Sequence, residues 1–140
     1  ARVITTTSAQ NVDYVRSLGA DEVIDYNAQD VTKAVKDCDA VFDTVGGEVT
    51  QKSFAVLEPG GRAAFIASGA QAPKPARGDV TSLRPAVGRT RRHMERVAQL
   101  YLDGVVRPPE IKLYRLSEVA EAQRVSEGRH FRGKLVFKVR

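Results

Sequence analysis

The sequence is short of the residues that build metal centres and disulfide scaffolds. In 140 residues there is one cysteine, Cys38, one methionine, no tryptophan and two histidines. A lone cysteine excludes an intrachain disulfide and suits a reducing, cytoplasmic compartment. Cys38, His93 and His130 lack Cys-x-x-Cys or His-Glu-x-x-His spacing, so no zinc is expected in this segment. Cys38 stands between Asp37 and Asp39, whose charge disfavours a thiolate. No Gly-x-Ser-x-Gly elbow is present and neither histidine has a recognisable serine partner, which speaks against nucleophilic catalysis. No apolar run approaches the ~20 residues that span a bilayer, and no signal peptide is read at the start. The Gly-x-Gly-x-x-Gly phosphate turn is also missing.

Hydrophobic residues at 42% and charged residues at 28% describe one soluble domain with a core. Much of the net charge of +5 comes from the stretch Gly88 to Arg96. That stretch has no aromatic residue to stack on bases, and Met94, Val97, Ala98 and Tyr101 recur at helical spacing behind it. It therefore reads as the solvated start of a helix, and nucleic acid is not the expected partner.

The remaining pattern alternates strands and helices. Strands are expected over 2–7, 23–26, 40–44, 62–67, 111–114 and 134–139. Helices are expected over 28–36, 48–57 and 91–103, with Ser8 capping one that ends at Gly19 and Ser117 capping one that ends near Glu127. Residues 57–62 form a turn, and 68–88, broken by Gly69, Pro73, Pro75, Gly78, Pro85 and Gly88, form a long loop or extended arm. Such alternation implies a doubly wound parallel α/β sheet, with ligands at the carboxyl ends of its strands.

Five pieces in order carry a resemblance. They are Leu18–Tyr26, Asp43-Thr44-Val45-Gly46-Gly47, Leu57-Glu58-Pro59-Gly60-Gly61-Arg62, the stretch from Leu116 to Ala122, and Arg132-Gly133-Lys134-Leu135-Val136. Together they resemble the Rossmann-like nucleotide-binding domain of the medium-chain dehydrogenase/reductase superfamily, in its zinc-free, quinone oxidoreductase-like branch. The resemblance implies that residues 1–140 are a partial dinucleotide-binding domain, truncated by its first strand, glycine-rich turn and first helix, with the catalytic GroES-like domain also absent. In the family's strand order the missing strand lies between 2–7 and 40–44, so two half-sheets are expected. An adenosylmethionine-dependent methyltransferase shares the βα grammar, but the ending at 132–136 argues against it.

The resemblance also places a cofactor. Where an NAD site carries an acid after its first visible strand, this chain has Thr6, Thr7 and Ser8, which leaves room for a 2′-phosphate. NADPH is therefore expected over NADH. The resemblance puts Ser8, Asn11 and Tyr26 around that phosphate, with Arg129 supplying the charge that Asn11 lacks. Read without it, Ser8 is a helix cap and Tyr26 an edge aromatic. Thr44, Val45 and Gly46 would lie under the ribose and nicotinamide, or form a plain turn. Ala67, Ser68 and Gly69 would meet the carboxamide, while Phe131, Gly133 and Lys134 would close from the C-terminal side; Lys134 reads equally as a solvated edge charge.

The implied activity is hydride transfer to a quinone or an activated carbon–carbon double bond in a full-length enzyme, with no catalytic residue in this segment and no turnover by the segment alone. A homodimer is implied through the edge after the helix at 91–103. The alternatives are a fragment of a zinc-dependent alcohol dehydrogenase, or a non-catalytic assembly module using 68–88 and the basic stretch.

Overall fold

β-Branched residues open the chain as β1 (Ile4–Thr7), which runs parallel to β2 (Glu22–Asp25) in the register Ile4↔Glu22 to Thr7↔Asp25. The crossover is a 3-10 turn, Ala9–Asn11, followed by α1 (Val12–Ser17). Gly19, at φ +105°, turns the chain out of that crossover into β2, in a conformation that side chains resist. The computed structural model describes residues 1–128 and 131–140 and divides into two units, Ala1–Val87 and Gly88–Arg140.

The rest of the first unit is α2 (Val31–Ala34), β3 (Cys38–Asp43), α3 (Val49–Ala55), β4 (Leu57–Phe65) and β5 (Thr81–Leu83). The last three strands form a parallel sheet ordered β3-β4-β5. One core cluster joins Phe54, Leu57, Ala63 and Phe65, with the two phenylalanine rings 5.1 Å apart. A second joins Ile24, Val35 and Val56 to Ile4, Val31 and Val41, so the two sheets of this unit share apolar packing. Each fully buried side chain of this size contributes about 1.5–3 kcal/mol. No ladder joins β1 to β3 among the described residues, and the unit holds the two half-sheets expected from the family's strand order.

The second unit contains α4 (Arg91–Leu102), β6 (Ile111–Arg115), a 3-10 turn at Leu116–Glu118, α5 (Val119–Glu127) and β7 (Lys134–Lys138). Strands β6 and β7 are parallel, from Ile111↔Lys134 to Arg115↔Lys138, and Tyr114 is buried beside Phe137. Among the described residues no helix is long and apolar enough to cross a membrane.

Several expected elements differ in detail. The helix expected over 28–36 is a single turn. Asp30 accepts from the Thr32 N–H at its start, Val35 is extended at its end, and Asp37 takes a positive φ of 56°. Residues 57–62 are a bulge inside β4 instead of a free turn. Cys38 already pairs with Leu57 and Ala40 with Arg62, while Gly60, at φ +85°, bows out and donates to the Asp79 carbonyl. The expected loop at 68–88 contains β5, too short and too polar to read as a strand. Ser8 caps no backbone group. Nor does Ser117, because the Glu118 carboxylate reaches back to the Arg115 N–H at 2.6 Å and the chain makes a 3-10 turn first.

Candidate functional site

Two groups of candidate residues stand at the carboxyl ends of strands in the first unit. The first lies beyond β1 and β2. The Tyr26 N–H donates to the Thr7 carbonyl at 3.1 Å, which holds the two strand ends together, and the Tyr26 side chain is exposed. Ser8 is extended, and its hydroxyl accepts from Asn11 Nδ2 at 3.3 Å. Ser8 and Asn11 thus pair beyond β1, Tyr26 stands at the end of the neighbouring strand, and no acid follows β1 directly. The acid paired with Thr7, Asp25, folds its carboxylate into its own turn by accepting from the Asn27 N–H at 3.0 Å.

The second group lies beyond β3 and β4, and its organiser is Asp43. This carboxylate, 4% exposed, accepts from the Val45 and Gly46 N–H groups at 2.8 Å each through Oδ1. Its Oδ2 accepts from the Ser53 hydroxyl at 3.0 Å, so α3 braces the turn. A buried carboxylate is tolerated when its lone pairs are filled in this way. The turn throws Thr44 and Val45 outward and buries Gly46 at φ +73°. A Cβ on Gly46 would stand 3.0 Å from the Ala67 carbonyl oxygen, so the two strand ends approach as closely as bare backbone allows. Ala67 and Gly69 are exposed, and the Ser68 hydroxyl donates to the Gln71 carbonyl at 3.0 Å in an exposed bond.

The remaining candidates belong to the second unit. Phe131 is half-buried, and the Lys134 side chain is exposed while its N–H donates to the Glu110 carbonyl at 2.8 Å. Gly133 has φ +146°, and any side chain there would collide with the Glu110 carbonyl. Arg129 lies outside the described residues. The sequence reading gave no role to Asp43 or Ser53. The available signal was an acid at the buried end of an apolar strand, three residues before a glycine pair.

The model of the family described as zinc-binding dehydrogenase matches residues 18–137. The chain belongs to that family. It is 31% identical over 139 residues to an NADPH-dependent alkenal/one oxidoreductase, chloroplastic, of Arabidopsis thaliana, covering 97% of this chain and 33% of that protein. It is 27% identical over 158 residues to the 2-haloacrylate reductase of Burkholderia sp, covering 97% of this chain and 47% of that one. Among solved structures, the quinone oxidoreductase from Coxiella burnetii superposes with a TM-score of 0.79 at 30% identity, over 99% of this chain and 45% of that chain. The chain therefore spans between a third and a half of these relatives.

The family description raises zinc, and the residues present do not fit it. Among the described residues no three His, Cys, Asp or Glu side chains come together in a metal-binding group. The Cys38 thiol is pushed above its ordinary pKa by burial first and then by Asp39 and Asp37, which disfavours a thiolate ligand. The residues do fit a dinucleotide. Thr44, Val45 and Ala67 stand exposed at one pair of strand ends, where Gly46 lets them come together, and Ser8 and Tyr26 offer hydroxyls at another.

Proposed function

We infer that this chain is the cofactor-binding part of an NADPH-dependent reductase acting on quinones or activated carbon–carbon double bonds. The observation that carries the reading is the Asp43-organised turn, which brings Gly46 against Ala67 and leaves Thr44, Val45 and Ala67 open at the strand ends. Flat rings and ribose need such a bare wall, and ligands of doubly wound sheets sit at carboxyl ends. The name of the Arabidopsis relative supports NADPH, and those of the Burkholderia and Coxiella proteins support alkene and quinone acceptors.

The dinucleotide supplies the hydride. This chain binds and orients it. Ser8 and Tyr26 hydrogen-bond the 2′-phosphate, with Asn11 fixing the Ser8 hydroxyl. Thr44, Val45 and Gly46 floor the nicotinamide ribose, and the backbone of Ala67, Ser68 and Gly69 meets the carboxamide. No side chain here acts as acid or base, so the substrate cleft and the pyrophosphate turn come from the rest of a full-length, cytoplasmic, homodimeric enzyme. This chain alone gives no turnover.

The test is a dinucleotide titration of the full-length protein with Ser8→Ala and Tyr26→Phe. Each is expected to weaken NADPH severalfold, by about 1 kcal/mol for a hydrogen bond, and to leave NADH binding unchanged. Equal effects on both dinucleotides would reject the phosphate assignment.

A further inference from the structure

After β4 the chain makes its long excursion and returns as β5. The parallel register Ala64↔Leu83 delivers the next residue, Arg84, to the level of Phe65. There its guanidinium donates twice. Nη1 reaches the Phe65 carbonyl at 3.1 Å, and Nε reaches the Gly69 carbonyl at 2.7 Å. One planar, permanently charged group thus bridges the last residue of β4 and the far side of the turn at 66–68. Only arginine presents donors in a rigid fork wide enough for both carbonyls; lysine offers a single point of charge. Gly69, at φ +76°, carries no side chain that could hold the turn instead.

We propose that Arg84 is a positioning residue for the dinucleotide site. It fixes the backbone of residues 65–69 and so sets where the N–H and carbonyl groups of Ala67, Ser68 and Gly69 meet the nicotinamide end of the cofactor. This rests on the cofactor reading given above. Arg84 makes no contact with the reacting atoms and acts through the backbone it clasps. The excursion between β4 and β5 is accordingly a strap, whose returning strand carries the buckle for the site at its start.

Two variants test it. Arg84→Met keeps the apolar stem and removes both donors, while Arg84→Lys keeps the charge without the fork. Hydrogen exchange on the chain itself reads the clasp with no ligand present. In Arg84→Met the Ile66 amide, bonded to the Asp43 carbonyl at 3.1 Å beside the clasped Phe65, is expected to exchange about tenfold faster, as loss of charge-assisted bonds implies, with β1 and β2 unchanged and Arg84→Lys between. Unchanged exchange at Ile66 would overturn the proposal, and so would a uniform rise across the first unit. NADPH titration of the full-length enzyme then separates the two claims. NADPH weakened about tenfold, with adenosine 2′,5′-bisphosphate bound as before, supports the positioning role. Equal loss of both ligands overturns it. Faster exchange with unaltered NADPH affinity would leave the clasp standing and remove residues 67–69 from the cofactor site.

Discussion

Replacing Asp43 by alanine strips the acceptor from three donors at once, the N–H groups of Val45 and Gly46 and the Ser53 hydroxyl, at 2.8, 2.8 and 3.0 Å. A buried donor left without a partner costs about 1–3 kcal/mol, and bonds to a charged acceptor lie at the upper end. Val45 is exposed, so water can satisfy its N–H once the turn opens; Gly46 and Ser53 are buried. Asp43→Ala is therefore expected to cost about 3–5 kcal/mol, a large fraction of the roughly 5–15 kcal/mol that holds a domain. Asp43→Asn separates charge from geometry. Its amide oxygen can still accept from both N–H groups, and the Ser53 hydroxyl can exchange donating for accepting, so its cost is expected near ~1 kcal/mol. Urea unfolding measures both, with the midpoint moving at constant slope. The reasoning is refuted if Asp43→Ala costs less than ~1 kcal/mol, or if the asparagine variant is as damaging as the alanine one.

Other expectations follow from the same geometry. Gly46→Ala combines a positive φ with a Cβ 3.0 Å from the Ala67 carbonyl. It should lower stability by about 1–2 kcal/mol in the same unfolding assay. Asp79 is held below the ordinary carboxylate pKa, chiefly by hydrogen bonds from Arg77, and Gly60 donates to its carbonyl. A lowered folded-state value means this tie is complete above the carboxylate range and is lost as pH falls through the lowered value. The Gly60 amide signal should hold steady from neutral pH down to about pH 4 and move below it, and Asp79→Asn should abolish that movement. Cys38, with its thiol pKa raised by burial, then Asp39 and Asp37, should alkylate more slowly than glutathione at neutral pH. Asp39→Asn should speed that reaction, and labelling faster than glutathione in the parent chain would contradict the burial argument.

The strands were legible because their composition left little alternative. Ile4–Thr7 is β-branched throughout, and the Ala40–Phe42 stretch of β3 is an apolar run ended by Asp43, with a glycine pair three residues on. The two half-sheets followed from the family's strand order, which the motifs between Leu18 and Val136 made recognisable. What stayed hidden depended on partners far along the chain. Gly60 looks like a turn residue, and only its pairing environment, with Cys38 against Leu57 and Asp79 behind it, makes it a bulge. Thr81–Leu83 has no strand periodicity of its own and becomes β5 by lying beside β4. Ser117 has the composition of a cap, yet Glu118 wins because its longer side chain reaches the Arg115 N–H. In the site, Gly46 was picked out for closeness to a ligand. Its neighbours Asp43 and Ser53 were not, because a spacing of ten residues gives no local signal that a carboxylate and a hydroxyl will meet.

The central claim is that NADPH lies along the carboxyl ends of β1 to β4. Hydrogen exchange of the full-length enzyme with saturating NADPH, and again with NADH, tests it most directly. The account predicts that NADPH slows exchange at residues 8–11, 26, 44–46 and 67–69. NADH should protect 44–46 and 67–69 while leaving 8–11 and 26 as in the free protein. Protection by NADPH confined to other segments, or identical protection by both dinucleotides at 8–11 and 26, would contradict it.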